Sequence, residues 1–510
     1  MTNQKTKNNW LIRFLASPKF FIGVLIFFVL QAGWIACTAM YPMAFDEDFH
    51  FGIIQIYAQQ WSPILTHQPA NPGVYGQLIH DPSYLFHYLM SFPYRLLDGL
   101  FHNTTLDVVG LRFIDVALFT VGLWLFRKLL LKFGLSKALS NVVILLTTLI
   151  PIAPFLAGQI NYDNLVMPLV ALTLLITLKI KEKINSESKM PFVYVASLAI
   201  VGMLASLVKY TYLPFIAGAV IYLIIVWLRH KKRADIGRSL GITFLKLGLW
   251  VKIGLVVALL ISLGLFGQRY FYNLAEFHTL SPDCDDVLSV DECMNYGPYQ
   301  RDQHYVQAKI SPTDPAPIQF FGTWMGSMVY RLYFTINSGS APSRYQNYIG
   351  LPLVNITAVV ACGIGLIGLI IFGRRIFRTH PTLWLLVLSG GLYIVSLYIV
   401  DYLSYLHTGR PVAINGRYLL VMMPLLIGIV GLGWRELLNL FKNASLIKTI
   451  LVVIVVLLSL NGGGAISFLY FADPNTWYFA NDPLTGFNAW LRGIISPLIV
   501  KWQWYEKLFL

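Results

Sequence analysis

The strongest constraint on this chain is a recurring apolar run. Stretches long enough to cross ~30 Å of hydrocarbon occur about eleven times. They lie near 20–40, 107–126, 139–157, 163–178, 191–208, 213–228, 247–267, 349–372, 381–400, 417–433 and 447–468. A backbone at that depth has no water to bond with, so it must be helical or form a closed barrel. Runs of this length read as helices, which predicts an all-α polytopic membrane protein. Composition agrees: of 510 residues, 56% are hydrophobic and 12% charged, against about 25% charged in a soluble domain.

The net charge of +14 would suit nucleic acid, but the placement of the basic residues excludes that partner. They fall before the first run (Lys5, Lys7, Arg13, Lys19) and in every second connection: Arg127–Lys137, Lys179–Lys189, Arg229–Arg238, Arg374–Arg378 and Arg435–Lys448. Membrane proteins keep such loops in the cytoplasm. The N-terminus is therefore expected inside. An odd number of spans then puts the C-terminal segment 469–510 outside, where Trp477, Trp490, Trp502 and Trp504 read as interfacial anchors. The first run lacks a small-residue cleavage site and reads as a retained anchor. Residues 1–468 form one transmembrane domain, with large outer loops at 41–106 and 268–348. The first loop carries two amphipathic, aromatic-rich helices, near 48–60 and 82–98. No P-loop or Rossmann fingerprint occurs.

The informative polar residues fall on the outer face. Asp46, Glu47 and Asp48 follow the first run, and His50 lies one helical turn after Glu47. A carboxylate there can take a proton from an attacking hydroxyl or amine, or share a divalent cation. Equally, three acids suit a helix N-terminus, and a surface histidine suits water. Asn161-Tyr162-Asp163-Asn164 sits in a short outer turn, either as a second acidic position or as a helix cap. Lys209, in VKYTYLP, breaks the positive-inside pattern and either needs an anionic partner, a ligand or an acid such as Asp163, or snorkels to the interface. Arg410 and Arg417, in HTGRPVAINGRYLL, can grip a phosphate or anchor at the interface. Cys284 and Cys293 share an outer loop and are disulfide candidates. Asn461-Gly462-Gly463-Gly464 reads as a helix break.

FDEDFHF after the first run, the NYDN turn, VKYTYLP and INGRYLLVMMPLL occur in an order that resembles the GT-C superfamily of integral-membrane glycosyltransferases. The superfamily includes the protein O-mannosyltransferases and the lipid A aminoarabinose transferases. HDPSYLFHYL resembles the aromatic helix that closes its first outer loop. The resemblance implies transfer of a sugar from a polyprenyl-phosphate donor to a glycan, lipid or protein acceptor outside a bacterial cytoplasmic membrane, with inversion. It implies Asp46 as general base with Glu47 its neighbour, and Asp163 as second acid. It implies Lys209, Arg410 and Arg417 for the donor phosphate; apart from the resemblance, His50, Asn161 and Asn415 are candidate auxiliaries, His50 by its place on the Glu47 face. Some members bind Mg or Mn; here that site would be Asp46 and Asp163, one carboxylate short of Asp-x-Asp. Two other functions compete, a flippase or transporter of a lipid-linked sugar and a non-catalytic scaffold in envelope synthesis.

Overall fold

The computed structural model describes residues 10–69, 71–313, 315–333, 352–441, 444–472, 477–479 and 484–499. Lys5, Lys7, Lys442, Trp502, Trp504 and the end of the second large loop lie outside the described residues. The described chain is helical, with a single isolated β-bridge between Ala39 and Tyr478.

The helices that frame the argument are α1 (Pro18–Thr38), α2 (Glu47–Ala58), α3 (Leu85–Phe101), α4 (Thr104–Lys132), α5 (Asp163–Glu187), α6 (Phe192–Val208), α7 (Leu213–Leu228), α8 (Leu249–Phe266), α9 (Pro317–Tyr333), α10 (Pro352–Thr379), α11 (Leu383–Thr408), α12 (Met423–Leu438) and α13 (Ala444–Leu460). Local chemistry sets several starts. The Ser17 hydroxyl accepts from the Phe20 N–H (3.1 Å), with Pro18 at the first helical position. The Asn103 side chain accepts from Thr105 and Leu106.

Each expected run contains helix, and four of the eleven are not single described helices of full spanning length. Seven helices among the described residues are long and apolar enough to cross a bilayer, which makes the chain an integral membrane protein. Three further apolar helices are shorter: Lys137–Thr148, Phe192–Val208 and Leu446–Leu460. Proline accounts for two of the differences, because it removes a donor and clashes with the preceding turn. The run 139–157 divides around Pro151 into Lys137–Thr148 and Ile152–Ala157. The run 417–433 divides before Pro424 into Arg417–Leu420 and Met423–Leu438.

Helix α5 is the centre of the bundle, packed against α4, α6 and α7. Helices α8 and α10 lie outermost, and side chains such as Trp250 (82% exposed) and Ile370 (83%) face outward. An apolar surface of that kind is at home in lipid, not in water.

At the end opposite the basic loops, the two large loops pack on each other. The Gln77 amide donates to the Pro282 carbonyl (2.8 Å) and Asn273 to that of His80 (2.9 Å). A disulfide joins Cys284 and Cys293 in the second loop. The C-terminal segment departs from the interfacial expectation at Trp477. Its ring is fully buried, stacks on Trp34 (5.7 Å) and donates to Thr38 Oγ1 (3.1 Å). The chain reaches that position through the glycine run. After α13 it turns, Gly464 takes φ +60° and donates its N–H to the Leu149 carbonyl (2.8 Å), and the Ala465 N–H donates to Gln31 Oε1 (2.9 Å).

Candidate active site

The site begins with a backbone reversal. Phe45 and Asp46 are both left-handed (φ 69° and 68°) at the entry to α2. Asparagine and aspartate tolerate that region; a phenylalanine there is strained, a state that persists only when its surroundings hold it. Here the Phe45 carbonyl accepts from Arg417 Nη1 (3.1 Å) and Asn161 Nδ2 (3.2 Å), and its ring is fully buried against Phe155. The reversal turns the Asp46 side chain away from the helix it precedes. Asp46 makes no side-chain cap bond, so capping does not explain it. Its Oδ2 lies 3.2 Å from Arg417 Nη2 instead, and its side chain is 36% exposed.

Glu47, one residue on, faces the opposite way. Its carboxylate is wholly buried and accepts from Arg112 Nε (2.8 Å), Arg112 Nη2 (2.7 Å), the Met43 N–H (2.7 Å) and the Ile160 N–H (3.1 Å). Arg112 also donates to the carbonyls of Ala36 (3.1 Å) and Ala39 (2.6 Å). This two-toothed pair ties the end of α1, the first loop, α4 and the Asn161 turn into one body. With its acceptor capacity filled, Glu47 holds the frame that Asp46 stands on.

Asp163, at the start of α5, is fully buried. The Asn161 side chain accepts from its N–H (3.0 Å), and its own carboxylate faces two cations, hydrogen-bonded to Lys209 and at ion-pair distance from Arg417. Lys209 Nζ sits 2.5 Å from Oδ1, and Arg417 Nε 4.0 Å from Oδ2. Lys209 caps α6 in extended backbone, and its ammonium lies between the rings of Tyr162 (4.7 Å) and Tyr418 (4.6 Å). Arg417 lies over Phe45 (4.9 Å) and Tyr418 (5.3 Å), its N–H bonded to Asn415 Oδ1 (3.0 Å). Acids from the first loop and the Asn161 turn thus meet cations from VKYTYLP and INGRYLL. Charge attraction and aromatic faces hold those cations with little water.

Other sequence candidates fall differently. Arg410 is exposed and has no ion pair with these carboxylates among the described residues. His50 is not turned to water: it is 2% exposed, and its Nδ1 lies 2.9 Å from His87 Nε2. Burial is the main cause that pushes His50 well below 6.5, with the nearby His87, Arg417 and Lys209 adding to it. Burial likewise brings His87 down to about 3. The pair is therefore neutral and packed at right angles to Tyr162. The sequence assigns no role to Arg112, nor to Tyr162, His87 and Tyr418, although these three lie inside its motifs. For Arg112 a signal existed, since a charge inside an apolar run is costly and seldom incidental.

The donor set fits a divalent cation poorly. Asp46 and Asp163 are each turned to a cation of the protein, and no group of three or more His, Cys, Asp or Glu side chains converges among the described residues. The Mg or Mn site expected at this pair would need Arg417 and Lys209 to move aside.

No family model matches the chain, and no curated protein matches it. Among solved structures, two of ArnT from Cupriavidus metallidurans are similar to it, one bound to undecaprenyl phosphate and one in the apo state. Their identities are 11% and 12%, over 77% and 76% of this chain and 79% and 77% of those chains, each with a TM-score of 0.32.

Proposed function

We propose that this chain is a GT-C-type membrane glycosyltransferase that moves a sugar from a polyprenyl-phosphate carrier to a cell-envelope acceptor. The reaction takes place at the face opposite the basic loops and inverts the anomeric centre. The observation that carries this reading is the half-open Asp46 carboxylate beside two desolvated cations, Arg417 and Lys209.

In this reading the carrier phosphate enters beside Arg417 and Lys209 and competes with Asp46 for the guanidinium. A carboxylate that loses its counter-ion is a stronger base. Asp46 then takes the proton from the acceptor hydroxyl or amine as that group attacks the anomeric carbon. The new bond forms on one face while the carbon–oxygen bond to phosphate breaks on the other, and its electron pair leaves with the phosphate. Arg417 and Lys209, already fixed by tyrosine faces, offset the charge gained there. A mainly apolar cavity of about 390 Å³ is lined by Leu146, Ile150, Tyr333, Ile427 and Val430, among others, and in this reading takes the isoprenoid chain.

The test is to incubate the purified full-length protein with a polyprenyl-phosphate sugar and an envelope extract as acceptor, then measure free polyprenyl phosphate. Time-dependent release that Asp46→Asn removes is the expected result. Movement of the intact lipid across a proteoliposome without release would replace the transferase with a flippase.

A further inference from the structure

A second cavity opens on α2, away from the charged cluster. It is about 600 Å³ and is lined by Gln55, Gln59, Gln60, His67, Asn71 and Tyr75, among others, with no Lys, Arg, Asp or Glu among the described residues. That volume lies within the usual range of small-molecule sites, about 300–1,000 Å³.

Its wall is built, not a gap between loops. Tyr75 fits against Gly52, where any side chain would collide with its hydroxyl, and its ring packs on Phe49 (5.8 Å). Gly73 lies against the Glu292 carbonyl and Gly76 against the Tyr296 ring. The disulfide-closed loop containing Cys284 and Cys293 therefore backs the segment that carries Asn71 and Tyr75. On the other side, Gln55 is oriented by the Tyr94 hydroxyl (3.2 Å) and Gln60 by the carbonyls of Ser62 (2.7 Å) and Ile64 (3.2 Å).

The lining chemistry selects the ligand. With the Gln55 and Gln60 N–H groups already donating to Tyr94, Ser62 and Ile64, the carboxamides of Gln59 and Asn71 and the Tyr75 phenol still offer donor and acceptor together, which matches hydroxyl groups that do the same. Among the described residues the lining carries no formal charge, and the neighbouring Arg95 is engaged by the carbonyls of Tyr57, Ala58 and Gln60, so little offsets a phosphate or carboxylate there. From Asp46 to Gln55 is nine residues, roughly 13 Å along the α2 axis, the reach of a few linked sugar rings. We propose that this cavity is a subsite for an uncharged oligosaccharide, holding the glycan part of the acceptor while its terminal group reaches Asp46. The acceptor role rests on the transferase reading; the binding itself does not.

The experiment is saturation-transfer NMR on the full-length protein in nanodiscs, with maltotriose, cellotriose and mannotriose as neutral probes and trigalacturonate as the charged control. At least one neutral trisaccharide should bind. The exposed pair Gln59→Ala/His67→Ala should weaken it about tenfold, the loss expected for two hydrogen bonds. Asp46→Asn should leave binding intact, and trigalacturonate should not bind. If no neutral trisaccharide binds, if the double variant binds as well as the wild type, or if trigalacturonate binds equally, the subsite is overturned. Sugar binding without any carrier release would keep the subsite and remove the transferase.

Discussion

Asp46 and Glu47 are neighbours in sequence, and each pairs with an arginine, yet the two pairs are built for opposite purposes. Glu47 and Arg112 have no exposed side-chain surface, and Glu47 draws in backbone donors from two further segments. Asp46 meets Arg417 by one contact at 3.2 Å and keeps 36% of its side chain open. A buried pair with every lone pair filled is a fixed joint. A half-open pair with one counter-ion can exchange that ion for a ligand. The left-handed Phe45–Asp46 step is what sends the two carboxylates in different directions.

The two pairs should therefore fail in different ways. Asp46→Asn should lower carrier release about 10²- to 10⁴-fold, the usual range for a general base, with no change in thermal midpoint. Arg112→Leu should do the reverse. Leaving one buried charge unpaired costs about 3–5 kcal/mol, so a sharp drop in midpoint and in folded yield is expected. Activity per folded molecule should fall less than in Asp46→Asn. If Arg112→Leu is as stable as the wild type, Glu47 is not the joint described.

How far the sequence reached follows the same division. The apolar runs were legible because hydropathy is local and additive; their ends were not, because Pro151 and Pro424 cut helices inside apolar sequence. Lys209, Asp163 and Arg417 were legible as charges out of place, and Asp163 was already a named partner for Lys209. The Glu47–Arg112 pair was hidden, since its members are 65 residues apart and one lies within an apolar run. His50 was misjudged for a similar reason. What buries it comes from α3, where His87 reads only as part of an amphipathic helix.

The cations sharpen the comparison at smaller scale. Lys209→Ala or Arg417→Ala should weaken donor binding about ten- to a hundredfold, as expected for one hydrogen bond to a charged group. Arg410→Ala should change it much less, since that side chain is exposed and apart from the acids. Equal losses at Arg410 and Arg417 in a donor-binding titration would move the phosphate site away from Asp46.

The smallest effect concerns the neutral histidine pair between the joint and the open site. Folded His50 and His87 resist protonation, chiefly because they are buried. In the unfolded chain both titrate near 6.5. Below that pH the unfolded state binds more protons than the folded one, so their contribution is complete above 6.5 and is lost as pH falls. Half-buried Asp81 works in the other direction, because desolvation raises its carboxyl and acid then favours the folded state. Comparing proteins that both keep Asp81 isolates the histidines. Between about pH 8 and about pH 5, the thermal midpoint of the wild type should fall more than that of His50→Gln/His87→Gln. Parallel curves would mean that the imidazoles reach water and protonate in the folded protein, and the wall beside Tyr162 would then be open.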